Sequence, residues 1–186
     1  MTGAVCRPNG RTVWITGLSG AGKSTLAVAL TGRLRARGDR VIMLDGDELR
    51  SVLGAEAANT ANHGREARLA LAMRYARLCQ ILACQGITVV IATISLFRDV
   101  HAWNRANLPG YFEVYLKVPI EELRRRDPKD IYRRFEAGEL TEVAGLDQPV
   151  DEPAAANWVI LFDPARTVAS LADELLERLE TGKVNG

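Results

Sequence analysis

No run of apolar residues in this 186-residue chain approaches the ~20 needed to span a bilayer, so a helical membrane protein is excluded. Neither sign of charge is in excess. Lys plus Arg number 24 and Asp plus Glu 23, a net charge of +1, which leaves no electrostatic footprint for nucleic acid or an acidic membrane. Cysteine is scarce: Cys6, Cys79 and Cys84 form an odd set. Cys79 and Cys84 stand five apart in a helical stretch and point in different directions, so all three read as reduced thiols, buried small residues of a cytoplasmic protein. The first ten residues lack a long apolar stretch, and no secretory signal is expected. Histidine occurs only as His63 and His101, and no His/Cys cluster suggests zinc.

What is present is an ordinary globular balance, 47% apolar and 25% charged, at a length that suits one domain, residues 1–186, with a single sizeable core. Short β-prone runs alternate with helical stretches. The runs are Val13–Thr16, Val41–Leu44, Ile87–Ala92, Tyr111–Val118 and Trp158–Phe162. Between them, Ser24–Arg37 carries Leu26, Leu30 and Leu34 on one stripe and closes at Gly38. Arg65–Gln85 is rich in Ala and Leu and closes at Gly86, and Val168–Leu179 is a final amphipathic helix. Apolar strands separated by helices predict a parallel sheet covered on both faces. Gly54–Gly64 and Asp127–Pro153 read as irregular. The second holds three of the seven prolines, and a loop of that length in a compact domain predicts a functional lid.

Gly17-Leu-Ser-Gly-Ala-Gly22-Lys23-Ser24 fits G-x-x-x-x-G-K-[ST], follows a β-run and opens a helix. Gly17, Ser19, Gly20, Ala21, Gly22, Lys23, Ser24 and Thr25 are therefore the candidate nucleotide contacts. Glycines let successive N–H groups turn inward around phosphate oxygens, and the following helix presents its positive end. Lys23 is placed to reach the β- and γ-phosphates and the Ser24 hydroxyl to ligate Mg²⁺. No N-K-x-D tetrad for guanine is present. The second strand runs into Asp45-Gly46-Asp47, which sets two carboxylates at the end of a parallel strand where α/β sheets bind ligands. A kinase of a hydroxyl needs one carboxylate to take the proton and one near the metal. The competing reading is an Asp-Gly turn that merely N-caps the helix from Glu48. Together these motifs predict an ATP- and Mg²⁺-dependent kinase of a small molecule.

ITGLSGAGKST, LDGDELR, ITVVIATISLFRD, RDPKDIYRR and Gly145-Leu-Asp-Gln-Pro149, in that order, resemble the adenylylsulfate kinase family over nearly the whole chain. The resemblance implies a P-loop kinase-like three-layer α/β sandwich with a five-stranded parallel sheet and a mobile lid at about 127–153. It also implies transfer of the ATP γ-phosphoryl group to the ribose 3′-hydroxyl of adenylylsulfate, and a homodimer. By position, Asp45 resembles the acidic residue at the acceptor hydroxyl, giving it the roles of general base and, with Ser24, metal ligand; Asp47 supports it. Arg50 resembles an arginine on the phosphosulfate end. Counting back from Ile87, Arg68 falls on a second substrate arginine. Ile94 and Ser95 match the segment lining the acceptor nucleotide. Lys129, Arg133 and Arg134 match the lid that closes over phosphates.

Departures from the family pattern cluster at the acceptor. Glu48 replaces the Asn of Asp-Gly-Asp-Asn, His63 and Val143 align with two Phe residues that stack on the acceptor adenine, and Leu71 aligns with an Asn. Leu96 replaces a Pro, and P-Y-E-x-P reads Pro149-Val-Asp-Glu-Pro153. A stacked ring face contributes ~1–3 kcal/mol, and a lost polar partner costs ~1–3 kcal/mol. Three readings follow: a kinase of adenylylsulfate, a paralogue phosphorylating another nucleotide conjugate or specialised metabolite, and a non-catalytic nucleotide-binding module. The first two require Asp45 and the third does not. Elsewhere, Arg124-Arg125-Arg126 reads as a solvated helix end opposite Glu121 and Glu122, or as a contributor to the phosphate clamp. His101 reads as solvated in a polar helix, His63 as an exposed loop residue, and Trp14 as core or subunit contact. Trp103 and Trp158 carry no functional reading.

Overall fold

Arg11–Thr16 (β1), Val41–Asp45 (β2), Thr88–Thr93 (β3), Tyr111–Lys117 (β4) and Trp158–Leu161 (β5) pair as one parallel sheet in the order β2-β3-β1-β4-β5. The structure, a computed structural model, describes residues 10–53 and 64–182. Side chains alternate across a strand, and both faces of this sheet are covered. On β1, Val13 and Ile15 enter one apolar cluster and Trp14 the other. The first cluster packs under Lys23–Ala36 (α1) and Val168–Thr181 (α7), the second under Arg65–Ala83 (α3) and Arg98–Asn107 (α4). These are the three expected layers. Leu26, Leu30 and Leu34 form the expected stripe on α1 and are almost fully buried, each stabilising the fold by ~1.5–3 kcal/mol. On α3 the buried stripe is Leu71, Tyr75, Cys79 and Ala83, the i, i+4 spacing of one helix face.

Trp14 is fully buried in the central strand, and its indole N–H has no hydrogen-bond partner. Trp14→Ala is expected to cost ~3–5 kcal/mol of stability. Trp14→Phe should cost far less, because it removes an unpaired buried donor along with part of the ring. Urea unfolding of the two variants measures both.

Several expectations are corrected. The segment from 127 to 153 is not wholly irregular, since Ile131–Glu136 (α6) is helical, stabilised at its start by Asp127, whose carboxylate accepts from the Tyr132 and Arg133 amides. His101 is buried, not solvated. Cys79 is a buried free thiol, pushed up to about 12 by burial, but Cys84 is disulfide-bonded, so the reading of three reduced thiols fails. The Arg124–Arg126 run ends Ile120–Arg126 (α5), where Arg125 and Arg126 pair with Glu122 and Arg124 with Glu136. No helix among the described residues is long and apolar enough to cross a membrane. The carboxyl ends of β1, β2 and β3 bring residues 17–22, Asp45 and Ile94–Ser95 to one edge of the sheet.

Candidate active site

The loop after β1 leads into α1 with Gly22 as N-cap. No side chain caps this helix, and its first turn holds no acid. Its leading N–H groups are therefore open to an anion. On the other side of the loop, three successive carbonyls are each taken by a side-chain donor. Lys23 Nζ donates to Leu18 O at 2.8 Å, Tyr132 Oη to Ser19 O at 2.9 Å, and Arg126 Nη1 to Gly20 O at 3.4 Å. Burial, followed by the charge of Lys129, lowers the Lys23 ammonium to about 8, against the opposing pull of Asp47 and Asp45.

β2 delivers Asp45 beside this loop. Asp45 Oδ2 accepts from Ser24 Oγ at 2.5 Å, and Oδ1 accepts from the Asp47 amide at 2.9 Å, capping Gly46–Val52 (α2). The Asp-Gly turn does cap a helix, and the same carboxylate also reaches Ser24 at the mouth of the loop. Gly46 belongs to α2 itself, and its value lies in close approach: a Cβ there would meet Thr93 Oγ1 at 3.0 Å and Ala92 O at 3.2 Å. Tyr75 Oη, on α3, donates to Gly46 O at 3.1 Å, with burial pushing the phenol up so that it remains a donor. Asp47 forms an ion pair with Lys129 across the cleft. Both side chains are more than half exposed, so the pair adds little stability.

Asp45, Asp47, Arg50, Arg68, Ile94, Ser95 and Lys129 all line one cleft of about 1380 Å³ with Ser19, Gly20, Gly22, Lys23, Ser24 and Thr25. Gly17 lies behind the loop, where a Cβ would sit 2.7 Å from Leu116 O, and Ala21 faces a second, smaller cleft. His63 lies outside the described residues. Arg134 lines the main cleft, whereas Arg133 pairs with Asp130. Arg68 Nη1 donates to Glu142 O at 2.8 Å, while its buried Nε has no partner. Burial lowers the Arg68 pKa, countered by Glu142 and reinforced by Arg50. Two guanidiniums set close around an open donor suit an anion. Ser95 carries a positive φ of 28° and shares a buried 2.8 Å hydrogen bond with Thr93. Leu71 and Val143 line the same cleft.

The second cleft, about 350 Å³, opens beside Gly22 and Thr25. Arg126 stacks 4.9 Å over Phe162 there, with Val168 and Leu171 nearby. Sequence reasoning missed Phe162, Tyr75 and Tyr132. A signal existed for Phe162, since Phe-Asp-Pro directly follows the last strand at the same sheet edge, but no spacing pointed to Tyr75 or Tyr132. Among the described residues no group of three His, Cys, Asp or Glu could hold a metal by itself. Ser24 Oγ and Asp45 Oδ2, 2.5 Å apart, are two oxygens that could hold Mg²⁺ together with phosphates and water.

A sequence profile of the adenylylsulphate kinase family matches residues 9–161. The adenylyl-sulfate kinase of Paraburkholderia xenovorans is 38% identical over 182 residues, covering 95% of this chain and 97% of its own. The cytidine diphosphoramidate kinase of Campylobacter jejuni is 37% identical over 143 residues, covering 77% and 81%. Against bifunctional relatives, such as the CysN/CysC enzyme of Mycobacterium tuberculosis, the chain spans 28% of their length. In three dimensions it superposes on the Mycobacterium tuberculosis APS kinase CysC, solved with AMPPNP and APS, at a TM-score of 0.83 and 33% identity, covering 94% of this chain and 99% of that one. With the loop, the acidic turn and the sheet order already in place, the chain belongs to the adenylylsulphate kinase family of ATP-dependent phosphotransferases.

Proposed function

We propose that this protein transfers the γ-phosphoryl group of ATP to a hydroxyl of a nucleotide conjugate that carries an anionic group. The observation that carries the reading is the Asp45 carboxylate, shared between Ser24 and the α2 amide beside an uncapped helix N-terminus. Residues 17–25 hold the phosphates and Lys23 moves from Leu18 O onto them. Arg126 and Phe162 flank the donor base. Ser24 and Asp45 hold Mg²⁺, which when bound offsets phosphate charge. Asp45 takes the proton of the attacking hydroxyl, Asp47 keeps the acidic turn in register, and Arg50 and Arg68 hold the acceptor's anionic end. Ile94 and Ser95 back its nucleotide, and residues 127–153 act as the lid that brings Lys129 over the phosphates and excludes water. On this reading residues 1–186 are one P-loop domain of a cytoplasmic homodimer, and a dimeric mass by light scattering is expected.

A specific observation favours an acceptor other than adenylylsulfate. Val143 and Leu71 line the cleft at the positions where the family resemblance calls for a stacking Phe and a polar Asn, and one relative at 37% identity is a cytidine diphosphoramidate kinase. Loss of one stacked face alone amounts to ~1–3 kcal/mol, about 5- to 150-fold in affinity for adenine. The test is turnover with Mg-ATP and either adenylylsulfate or cytidine diphosphoramidate, with products identified by mass. The expected result is phosphorylation of both, with kcat/KM for adenylylsulfate at least about tenfold lower. Equal or better use of adenylylsulfate would return the protein to sulfate activation. ATP hydrolysis with neither acceptor phosphorylated would remove both nucleotides as substrates.

A further inference from the structure

Behind the acceptor side of the cleft lies a buried polar cluster that the chemistry above leaves unused. Glu113, on β4, is 1% exposed. Its Oε1 accepts from Tyr111 Oη at 2.8 Å and faces His101 Nδ1 at 2.6 Å, and its Oε2 accepts from Arg105 Nη2 at 3.0 Å. The other ring nitrogen of His101, Nε2, lies 3.1 Å from the backbone carbonyl of Asp151. A carbonyl oxygen can only accept, so Nε2 carries a proton. Glu113 as a carboxylate likewise only accepts, and it is surrounded by donors, so Nδ1 carries one too.

We infer that His101 is a positioning residue, a doubly protonated imidazole that fastens the strap of residues 148–153 to the sheet and thereby sets the acceptor wall. The role of that wall rests on the proposed function; the state of the ring does not. Four bonds converge on Asp151. Its amide donates to Leu96 O at 3.0 Å, its Oδ2 accepts from Arg65 Nη2 at 2.7 Å and from the Arg98 amide at 3.1 Å, and its carbonyl takes His101. The strap residues just before it, Gln148, Pro149 and Val150, line the cleft. Arg105 adds a bond to Ala155 O at 2.6 Å further along. The groups around His101 are therefore Glu113 and Tyr111 from β4, Arg105 from α4, and Asp151, which is itself paired with Arg65 of α3. Burial pushes the Tyr111 phenol up, so it stays a neutral donor to Glu113 and does not take the place of the imidazole proton. Loss of the imidazole leaves the Asp151 carbonyl without its donor, whereas Glu113 keeps Tyr111 and Arg105. The strap then loosens, and acceptor binding weakens while ATP binding does not.

Three variants decide this in the full chain. With ¹⁵N-labelled histidine, the ring signals of the two histidines are assigned through His63→Gln. Both His101 nitrogens are expected to appear as N–H at neutral pH. A single ring N–H would overturn the inference. Amide exchange at Asp151, corrected for its intrinsic pH dependence, should speed up about tenfold in His101→Gln at every pH. His101→Arg, a permanent double donor, should keep exchange near the parent rate. Unchanged exchange in His101→Gln would also sink the idea. With adenylylsulfate as the acceptor probe, His101→Gln should raise acceptor KM about tenfold with kcat and ATP KM unchanged, whereas an equal effect on ATP KM would point to general destabilisation. If adenylylsulfate is not turned over, the ring signals and the exchange still decide the inference, and only the acceptor assignment fails.

Discussion

Asp45→Asn is expected to lower phosphoryl transfer at least about 10²-fold while leaving the fold intact. Asparagine is the informative replacement because Asp45 has two separable tasks. One oxygen caps α2 through the Asp47 amide and the other meets Ser24. Asparagine caps a helix about as well as aspartate, so the structural task survives, whereas the negative charge and the capacity to accept a proton are lost. Asp45→Ala removes both tasks and should lose ~1 kcal/mol of stability in addition. Steady-state kinetics together with urea unfolding of the pair separate the two effects. Near-normal turnover in Asp45→Asn would remove Asp45 from the role of base and revive the non-catalytic reading.

Lys23→Ala should also lower turnover at least about 10²-fold, and its loss should be visible before chemistry. In the free protein Lys23 is lowered to about 8, by burial first and then by Lys129. A bound triphosphate restores a strong opposite charge and draws the pKa back up. Nucleotide binding should therefore take up roughly half a proton at pH 8 and almost none at pH 6. Calorimetry in buffers of different ionisation enthalpy reads this directly, and the uptake should vanish in Lys23→Ala. Uptake that persists in the variant would assign the proton elsewhere. The same shift fixes the sign of a stability term. With a folded value of about 8 against 10.5 in the unfolded chain, the unfolded state binds more protons between those values, so stability rises with pH across that window.

The loop and the acidic turn were legible in the sequence because each task is carried by residues close together in the chain, and the sheet was legible because apolar strand periodicity differs from helical stripes. His101 was misread for the opposite reason. Its neighbours along the chain are polar and describe a wet helix, whereas its partners, Glu113 and Asp151, lie on β4 and in the strap. Phe162 and Arg126 meet at a second cleft only once β5 lies beside β4, and Tyr75 shows its role only where α3 crosses the acidic turn. The helix α6 was hidden by the prolines and charges around it. At Gly46 the fold uses the room beside Thr93, which only the packed sheet reveals.

Gly145, at a φ of +83°, brings the turn just before the strap so close to the phosphate loop that a Cβ would lie 2.7 Å from a methyl of Leu18. Tyr132 and Arg126 already hold the neighbouring loop carbonyls, so the loop's conformational entropy is surrendered during folding. Nucleotide association then begins from a cradle that has little left to freeze, and its ordering term falls on whatever rearrangement follows in α6 and the strap. Titrations of ATP and of a tripolyphosphate that lacks the nucleoside should accordingly show similar entropies for the phosphate contribution, with the difference between them arising at the Arg126–Phe162 cleft.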